Sequence, residues 1–110
     1  MEITEKKTEK FMIIGIEGRL DTISSAVFEK RLMELIDNQI IRILVNCSQM
    51  DYISSSGLRT LLLALKRIAP ANGKFVLCEL GENIQEIFAI SGFNKIFEIY
   101  PGEDEALGMF

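Results

Sequence analysis

The sequence contains no histidine and no tryptophan, and it has only two cysteines and two prolines among its 110 residues. Without histidine, Ser-His-Asp and Cys-His catalysis are excluded. Since there is no cluster of cysteines either, the usual zinc ligand sets are missing. Cys47 and Cys78 have neither a CxxC spacing nor a secretory context, so we expect both to be reduced, half-buried hydrophobic side chains.

Long apolar runs and an excess of basic residues are missing as well. The longest purely apolar run is Leu61–Leu65, whereas a membrane-spanning helix needs about 20 such residues. The first ten residues are polar where a secretory signal is apolar, so we expect a cytoplasmic protein. Sixteen acidic against twelve basic residues give a net charge of −4, which argues against nucleic acid as a partner. Proteins or small molecules are the expected partners.

Hydrophobic residues make up 48% of the chain and charged residues 25%, as in an ordinary globular domain. The hydrophobic patterns predict strands over 3–7, 11–16, 41–46, 74–79 and 95–100, and helices over 22–38, from about 56 to 69, over 82–91 and over 103–110. Strands separated by helices imply parallel pairing, and the first hairpin makes the sheet mixed. We therefore predict one α/β domain over residues 1–110, a mixed sheet of about five strands packed by about four helices.

Two patterns predict the core. The near-continuous apolar run from Ile41 to Asn46 is typical of a strand that is buried on both faces. The helical spacing of apolar side chains predicts which helix faces pack on the sheet. These positions are Phe28, Leu32, Leu35, Leu58, Leu61, Leu62 and Leu65.

The segment Asp51–Leu58 is the one most able to carry chemistry, because it lies between a buried strand and the most apolar helix. In parallel α/β sheets, functional groups gather where a strand ends and the next helix begins. A helix N-terminus offers unpaired N–H groups and suits an anion such as phosphate. The hydroxyls of Ser54, Ser55 and Ser56 can equally well serve only as helix caps. No G-x-S-x-G, Walker or Rossmann pattern is present, so catalysis by this chain is not expected.

The stretch Ile43–Leu58 resembles the signature of the STAS domains of anti-sigma factor antagonists. The shared features are an apolar strand, a polar loop, an aromatic or apolar pair, and the ending Ser55-Ser56-Gly57-Leu58. Further matches follow in order and at the family's spacing: Gly18–Asp21, Gly73–Leu77, Ile90–Phe93 with Ile96–Tyr100, and Glu105–Leu107. The resemblance therefore covers essentially the whole chain and implies a STAS-like fold.

The resemblance also implies a partner-switching function. In that family the antagonist binds an anti-sigma factor that is also a serine kinase, and thereby releases a sigma factor. The kinase phosphorylates the serine directly before the glycine, which is Ser56 here, and this ends binding until a phosphatase restores it. No cofactor is implied. The alternative is a STAS subunit that is not phosphorylated and serves in a lipid-transport or scaffold complex.

The resemblance and the chain order place the partner-binding surface around the same loop, at Asp21, Met50, Tyr52, Ser54, Ser55, Gly57 and Arg59. Several of these side chains keep a second interpretation. Asp21 is a helix cap or part of the binding edge, and Arg59 is a solvated base or a neighbour of the phosphate. Met50 and Tyr52 contact a partner or cover the end of the sheet.

Two positions depart from the family pattern. Asn46 and Ser54 stand where the family usually has aspartate, and Ser54 is a possible competing phosphate acceptor. Gly57 is expected to let the backbone turn tightly at the helix start.

Overall fold

A computed structural model describes all 110 residues. The strands are β1 (Glu2–Lys7), β2 (Met12–Leu20), β3 (Arg42–Asn46), β4 (Met50–Ile53), β5 (Lys74–Cys78) and β6 (Glu98–Tyr100). The helices are α1 (Thr22–Asp37), α2 (Ser55–Ile68), α3 (Glu82–Ser91) and α4 (Glu103–Leu107), with short 3-10 turns at Ala69–Ala71 and Phe93–Lys95. None of these helices combines the length and the apolar character of a membrane span.

The sheet is mixed, as predicted, and runs in the order β1-β2-β3-β5-β6. Only the β1–β2 hairpin is antiparallel, whereas β3, β5 and β6 are added in parallel. The predicted final strand over 95–100 is shorter than expected, because the residues before Glu98 form a 3-10 turn. The α/β class, the hairpin and the four helices are confirmed.

The sixth strand, β4, occupies a segment that the sequence pattern suggests is a polar loop. It continues alongside β2 beyond the end of β3, and pairs Arg19 with Tyr52 and Leu20 with Ile53. β2 therefore does not end before Gly18 but runs on to Leu20. Gly18 has a φ of +92°, and the register of the pairing shifts between Gly18 and Arg19. A glycine tolerates that backbone geometry at little cost.

Three helices cover one face of the sheet and one covers the other. A core of 23 buried residues lies between the sheet and helices α1, α2 and α3. On the opposite face, Ala106 of α4 packs with Leu44, Val76 and Cys78. The central strand β3 is buried on both faces, since Ile43 and Val45 belong to the first core and Leu44 to the second.

The buried face of α2 is rotated from the predicted one. Leu58 and Leu61 are buried as expected, but the helix continues its contact with the core through Ala64 and Ile68. Leu62 and Leu65 are only partly buried at the margin of the core. Five leucines in this helix make several helical faces look apolar, so the spacing alone does not single out the inner one.

This geometry predicts that two adjacent leucines of α2 differ in their contribution to stability. Leu61→Ala should lower the free energy of unfolding by about 2–5 kcal/mol, because it leaves a cavity in a fully buried site. Leu62→Ala should cost only about 1 kcal/mol, because part of its side chain already faces water. Equilibrium unfolding in urea measures both. Equal losses for the two variants would show that the orientation of α2 is wrong.

Both cysteines are fully buried, and the sheet separates them. Cys47 belongs to the core beneath α1–α3, whereas Cys78 lies on the opposite face beneath α4. Burial raises the pKa of Cys47 well above its usual range, with a smaller contribution from Cys78. Burial also raises the pKa of Cys78 to about 12, helped by the neighbouring Glu79 and Glu103 carboxylates. Both thiols are therefore protonated and weakly nucleophilic at neutral pH.

We expect native protein to react only slowly with Ellman's reagent, because the reactive species is the thiolate and both sulfur atoms are shielded. Denaturation in guanidinium chloride without a reductant should expose both thiols per chain. The same assay after reduction and removal of the reductant provides the reference count. A lower count in the unreduced sample would indicate a disulfide and contradict this structure, in which the two side chains point to opposite faces.

Candidate functional site

The candidate site lies where β2 and β4 end side by side and helices α1 and α2 begin. The carbonyl oxygen of Leu20, the last residue of β2, accepts two hydrogen bonds from Ser54. One comes from the Ser54 backbone N–H (2.9 Å) and one from its hydroxyl (3.0 Å). These bonds hold the N-termini of the two helices next to each other.

Ser54 is the N-cap of α2, with extended backbone angles (φ −87°, ψ 171°). Its hydroxyl oxygen accepts a hydrogen bond from the backbone N–H of Gly57 (3.1 Å) while its proton is donated to Leu20. The hydroxyl is therefore engaged both as donor and as acceptor. Of the two interpretations of the serine cluster, helix capping therefore applies to Ser54.

Ser55 and Ser56 are the first two residues of α2, one position earlier than the predicted start at Ser56. Neither hydroxyl makes a hydrogen bond within the protein, and Ser55 is exposed while Ser56 is half-buried. The first turn of α2 contains no acidic residue. Both free hydroxyls thus lie at the electropositive end of a helix, where added negative charge is favourable.

Gly57 is required by space rather than by backbone conformation. It is not among the glycines with positive φ, so the expected role in a tight turn is wrong. A Cβ atom at this position would lie 2.8 Å from Cγ1 of Ile53 and 3.0 Å from Cδ2 of Leu20. Only glycine lets the start of α2 pack this closely against the ends of β2 and β4.

Asp21 caps α1 in a reciprocal capping box with Ser24. The Asp21 carboxylate accepts hydrogen bonds from the backbone N–H and the hydroxyl of Ser24, both at 2.9 Å. Ser24 donates these bonds to the charged form, and they lower the pKa of Asp21 below its ordinary value. The cap is thus present, and it lies one residue after the Leu20 carbonyl that binds Ser54.

Tyr52 and Met50 differ although both belong to β4. The Tyr52 ring is exposed, and the guanidinium of Arg19 lies over it, 4.1 Å from the ring centroid. Met50 is buried in the core. Of its two interpretations, covering the end of the sheet therefore holds, and an exposed contact to a partner does not. Arg19 is missing from the predicted site, because its pairing with Tyr52 becomes visible only once β4 is recognised as a strand.

Arg59 lies in the second turn of α2, is exposed and forms no ion pair with an acidic side chain. As predicted, it lies near the start of α2. This position fits both a solvated base and a neighbour of a phosphate on the serine loop.

Asn46 does not join this site but organises the neighbouring edge of the sheet. Its amide group donates to the carboxylates of Glu103 (2.5 Å) and Glu79 (3.4 Å), and its carbonyl oxygen accepts from the backbone N–H of Ser48. Possible metal-ligand atoms of Cys78, Glu79 and Glu103 lie within 4.8 Å of one another. Both carboxylates are already hydrogen-bonded, and Glu79 accepts a further bond from the backbone N–H of Glu103. This group therefore connects β3, β5 and α4 without needing an ion.

Known proteins resemble this chain over nearly its full length. The sequence is 33% identical over 110 residues to BtrV of Bordetella bronchiseptica, a candidate anti-sigma factor antagonist, covering all of this chain and 95% of that protein. It is 28% identical over 97 residues to the anti-sigma F factor antagonist of Paenibacillus polymyxa, covering 87% and 83% of the two chains.

Solved structures share the fold at lower sequence identity. A candidate anti-sigma factor antagonist from Thermotoga maritima superposes with a TM-score of 0.93 at 20% identity, over 97% of this chain and 92% of that one. The anti-sigma factor antagonist SpoIIAA in its unphosphorylated form gives 0.79 at 16% identity, over 98% and 96%. The sequence profile of the STAS domain matches residues 2–106. The chain therefore belongs to the STAS domain family.

Proposed function

We propose that this protein is an anti-sigma factor antagonist that is not itself an enzyme and that acts in the cytoplasm. It binds an anti-sigma factor with serine kinase activity and so frees a sigma factor. Phosphorylation of Ser56 ends binding, and a phosphatase restores it. The relatives named anti-sigma factor antagonists support the function. The observation that supports a switch in this loop is that the hydroxyls of Ser55 and Ser56 are both free while the neighbouring Ser54 serves as the cap.

Ser56 suits a reversible modification because the fold does not depend on its hydroxyl. A phosphate adds a charge of about −1.5 to −2 and three acceptor oxygens. At the second residue of α2 the helix N-terminus favours such an anion by roughly 0.3–1 kcal/mol. The modified protein should therefore keep its structure.

Binding responds differently from folding. A partner surface that accommodates a neutral hydroxyl would have to desolvate the phosphate without a matching charge, which is unfavourable. A hundredfold loss of affinity needs only about 2.7 kcal/mol. The phosphate thus acts on the interface while the domain below it stays folded.

Ser54 is a poorer acceptor than Ser56, although both lie in the same loop. A phosphate on Ser54 would remove the proton donated to Leu20 and disturb the cap of α2. Ser55 is exposed and also unbonded. We choose Ser56 over Ser55 as the acceptor because the family's phosphorylated serine lies directly before the glycine, and Ser56 directly precedes Gly57.

The first test of this function uses purified anti-sigma factors with serine kinase activity from the source organism. Wild type and Ser56→Ala should bind the cognate kinase, and only wild type should incorporate phosphate with ATP. Ser56→Asp should lose about a hundredfold or more in affinity while its free energy of unfolding stays within about 1 kcal/mol of wild type. Titration calorimetry, mass spectrometry and urea unfolding measure these three quantities.

Ser54→Ala provides the matched control for this experiment. It should lower the free energy of unfolding by about 0.5–2 kcal/mol through loss of the cap, yet it should still be phosphorylated at Ser56. Phosphate found on Ser54, or labelling of Ser56→Ala as strong as that of wild type, would refute the assignment of Ser56. Binding without any phosphorylation would contradict the switch but not the antagonist function. A failure to bind any anti-sigma kinase would favour the alternative, a STAS subunit of a lipid-transport or scaffold complex.

A further inference from the structure

The first two turns of α1 expose apolar side chains and no charge. Ile23 is 82% exposed and Val27 is 57% exposed, and Ala26 between them is also exposed. The exposed positions further along the helix are charged, beginning with Lys30. We call Ile23, Ala26 and Val27 the α1 patch.

The three side chains form one continuous surface. Ile23 and Val27 are four residues apart and Ala26 is three residues after Ile23, so all lie on the same side of the helix. Single exposed apolar residues are ordinary on protein surfaces. The α1 patch is small, because apolar patches that mark a contact surface on their own usually exceed a few hundred Å². Its place beside the Ser56 loop is what makes it a candidate contact.

The α1 patch lies within reach of a partner that binds over Ser56. α1 begins directly after Leu20, whose carbonyl binds Ser54, and α1 and α2 pack against each other. Packed helices have axes about 8–10 Å apart, and the patch extends only about 6 Å along α1. A standard interface buries about 800 Å² on each partner, which corresponds to a disc of roughly 16 Å radius. At these typical dimensions, a disc centred on Ser56 would extend over the first two turns of α1, where the patch lies.

We infer that the α1 patch is a second contact for the anti-sigma kinase that modifies Ser56, and that it binds an apolar surface of that kinase. This inference rests on the proposed function. Three small side chains are too little surface for a stable dimer of this chain, which needs about 800 Å² on each subunit. As part of a larger interface, in contrast, an uncharged apolar group supplies affinity that does not depend on the phosphorylation state of Ser56.

The test uses the purified kinase that binds and labels wild-type protein in the preceding experiment. The variant is the double substitution Ile23→Gln with Val27→Gln, which removes apolar surface without adding charge. The matched control is Ile90→Gln, because Ile90 is 87% exposed but lies in the last turn of α3. That position is about 10 Å further along α3 than Asn83, whose amide contacts Asp51 of β4.

The double variant should bind the kinase about tenfold more weakly or worse, whereas Ile90→Gln should bind like wild type. Thermal melts of both should match wild type, since glutamine is a good helix former and the positions are exposed. In phosphorylation assays the double variant should show a raised KM and an unchanged kcat. That pattern indicates a docking contact away from the reacting hydroxyl.

Four results would overturn the inference. If the double variant binds as tightly as wild type, the kinase does not use the patch, although the proposed function stands. If Ile90→Gln weakens binding equally, the effect is not specific to the patch. If wild type forms a dimer in analytical ultracentrifugation that the double variant loses, the occupant is a second copy of the chain. A wild-type protein that binds no anti-sigma kinase refutes the proposed function itself, and the inference with it.

Discussion

The carbonyl oxygen of Leu20 is the atom on which the arrangement of the site depends. It ends β2, precedes the cap of α1 and accepts both the backbone and the side-chain hydrogen bond of Ser54. Gly57 adds a steric condition to this polar one, because any side chain there would collide with Leu20 and Ile53. Together they fix the distance between two helix N-termini. The position of the free Ser56 hydroxyl follows from that distance.

At the adjacent edge of the sheet, two carboxylates lie close together and are held by a neutral amide. Glu79 and Glu103 approach each other where β5 ends and α4 begins, and the amide of Asn46 donates to both carboxylates. The family usually has aspartate at this strand end. A carboxylate at position 46 would bring a third negative charge to the same point, at a cost that rises as water is excluded. The neutral amide instead holds α4 on the second face, over the thiol of Cys78.

The sequence predicts those elements whose patterns are long and regular. The run through Ile43 and Val45 identifies the central strand, and the helical period of Phe28 and Leu32 identifies α1. β4 escapes this reasoning because it has only four residues, with its two inner positions exposed and its two ends buried, so it shows no alternation. The buried position of Met50 and the contact between Arg19 and Tyr52 both depend on that strand. They are tertiary consequences that no local pattern contains.

The serine cluster shows the same limit in another form. The sequence places the cluster at the start of a helix. It does not tell which serine caps the helix and which hydroxyl is free, because the three residues are identical and adjacent. The structure sets only Ser54 apart as the cap, because it places the carbonyl of Leu20, 34 residues away in the chain, opposite Ser54. Gly57 likewise matches the family motif in the sequence. The reason that a glycine is needed there is its close packing against the ends of two strands, which only the structure shows.

Because Ser54 alone holds the cap, a change at Ser56 leaves the unfolded fraction of the chain nearly constant. Intracellular proteases recognise mainly unfolded or locally opened chains. The unphosphorylated form and the proposed phosphorylated form should therefore have similar lifetimes. The number of molecules in the cell should then not depend on how many of them carry phosphate. In the proposed switch, the response would then depend on the ratio of the kinase activity to the phosphatase activity. It would reverse within the time of those reactions, without new synthesis.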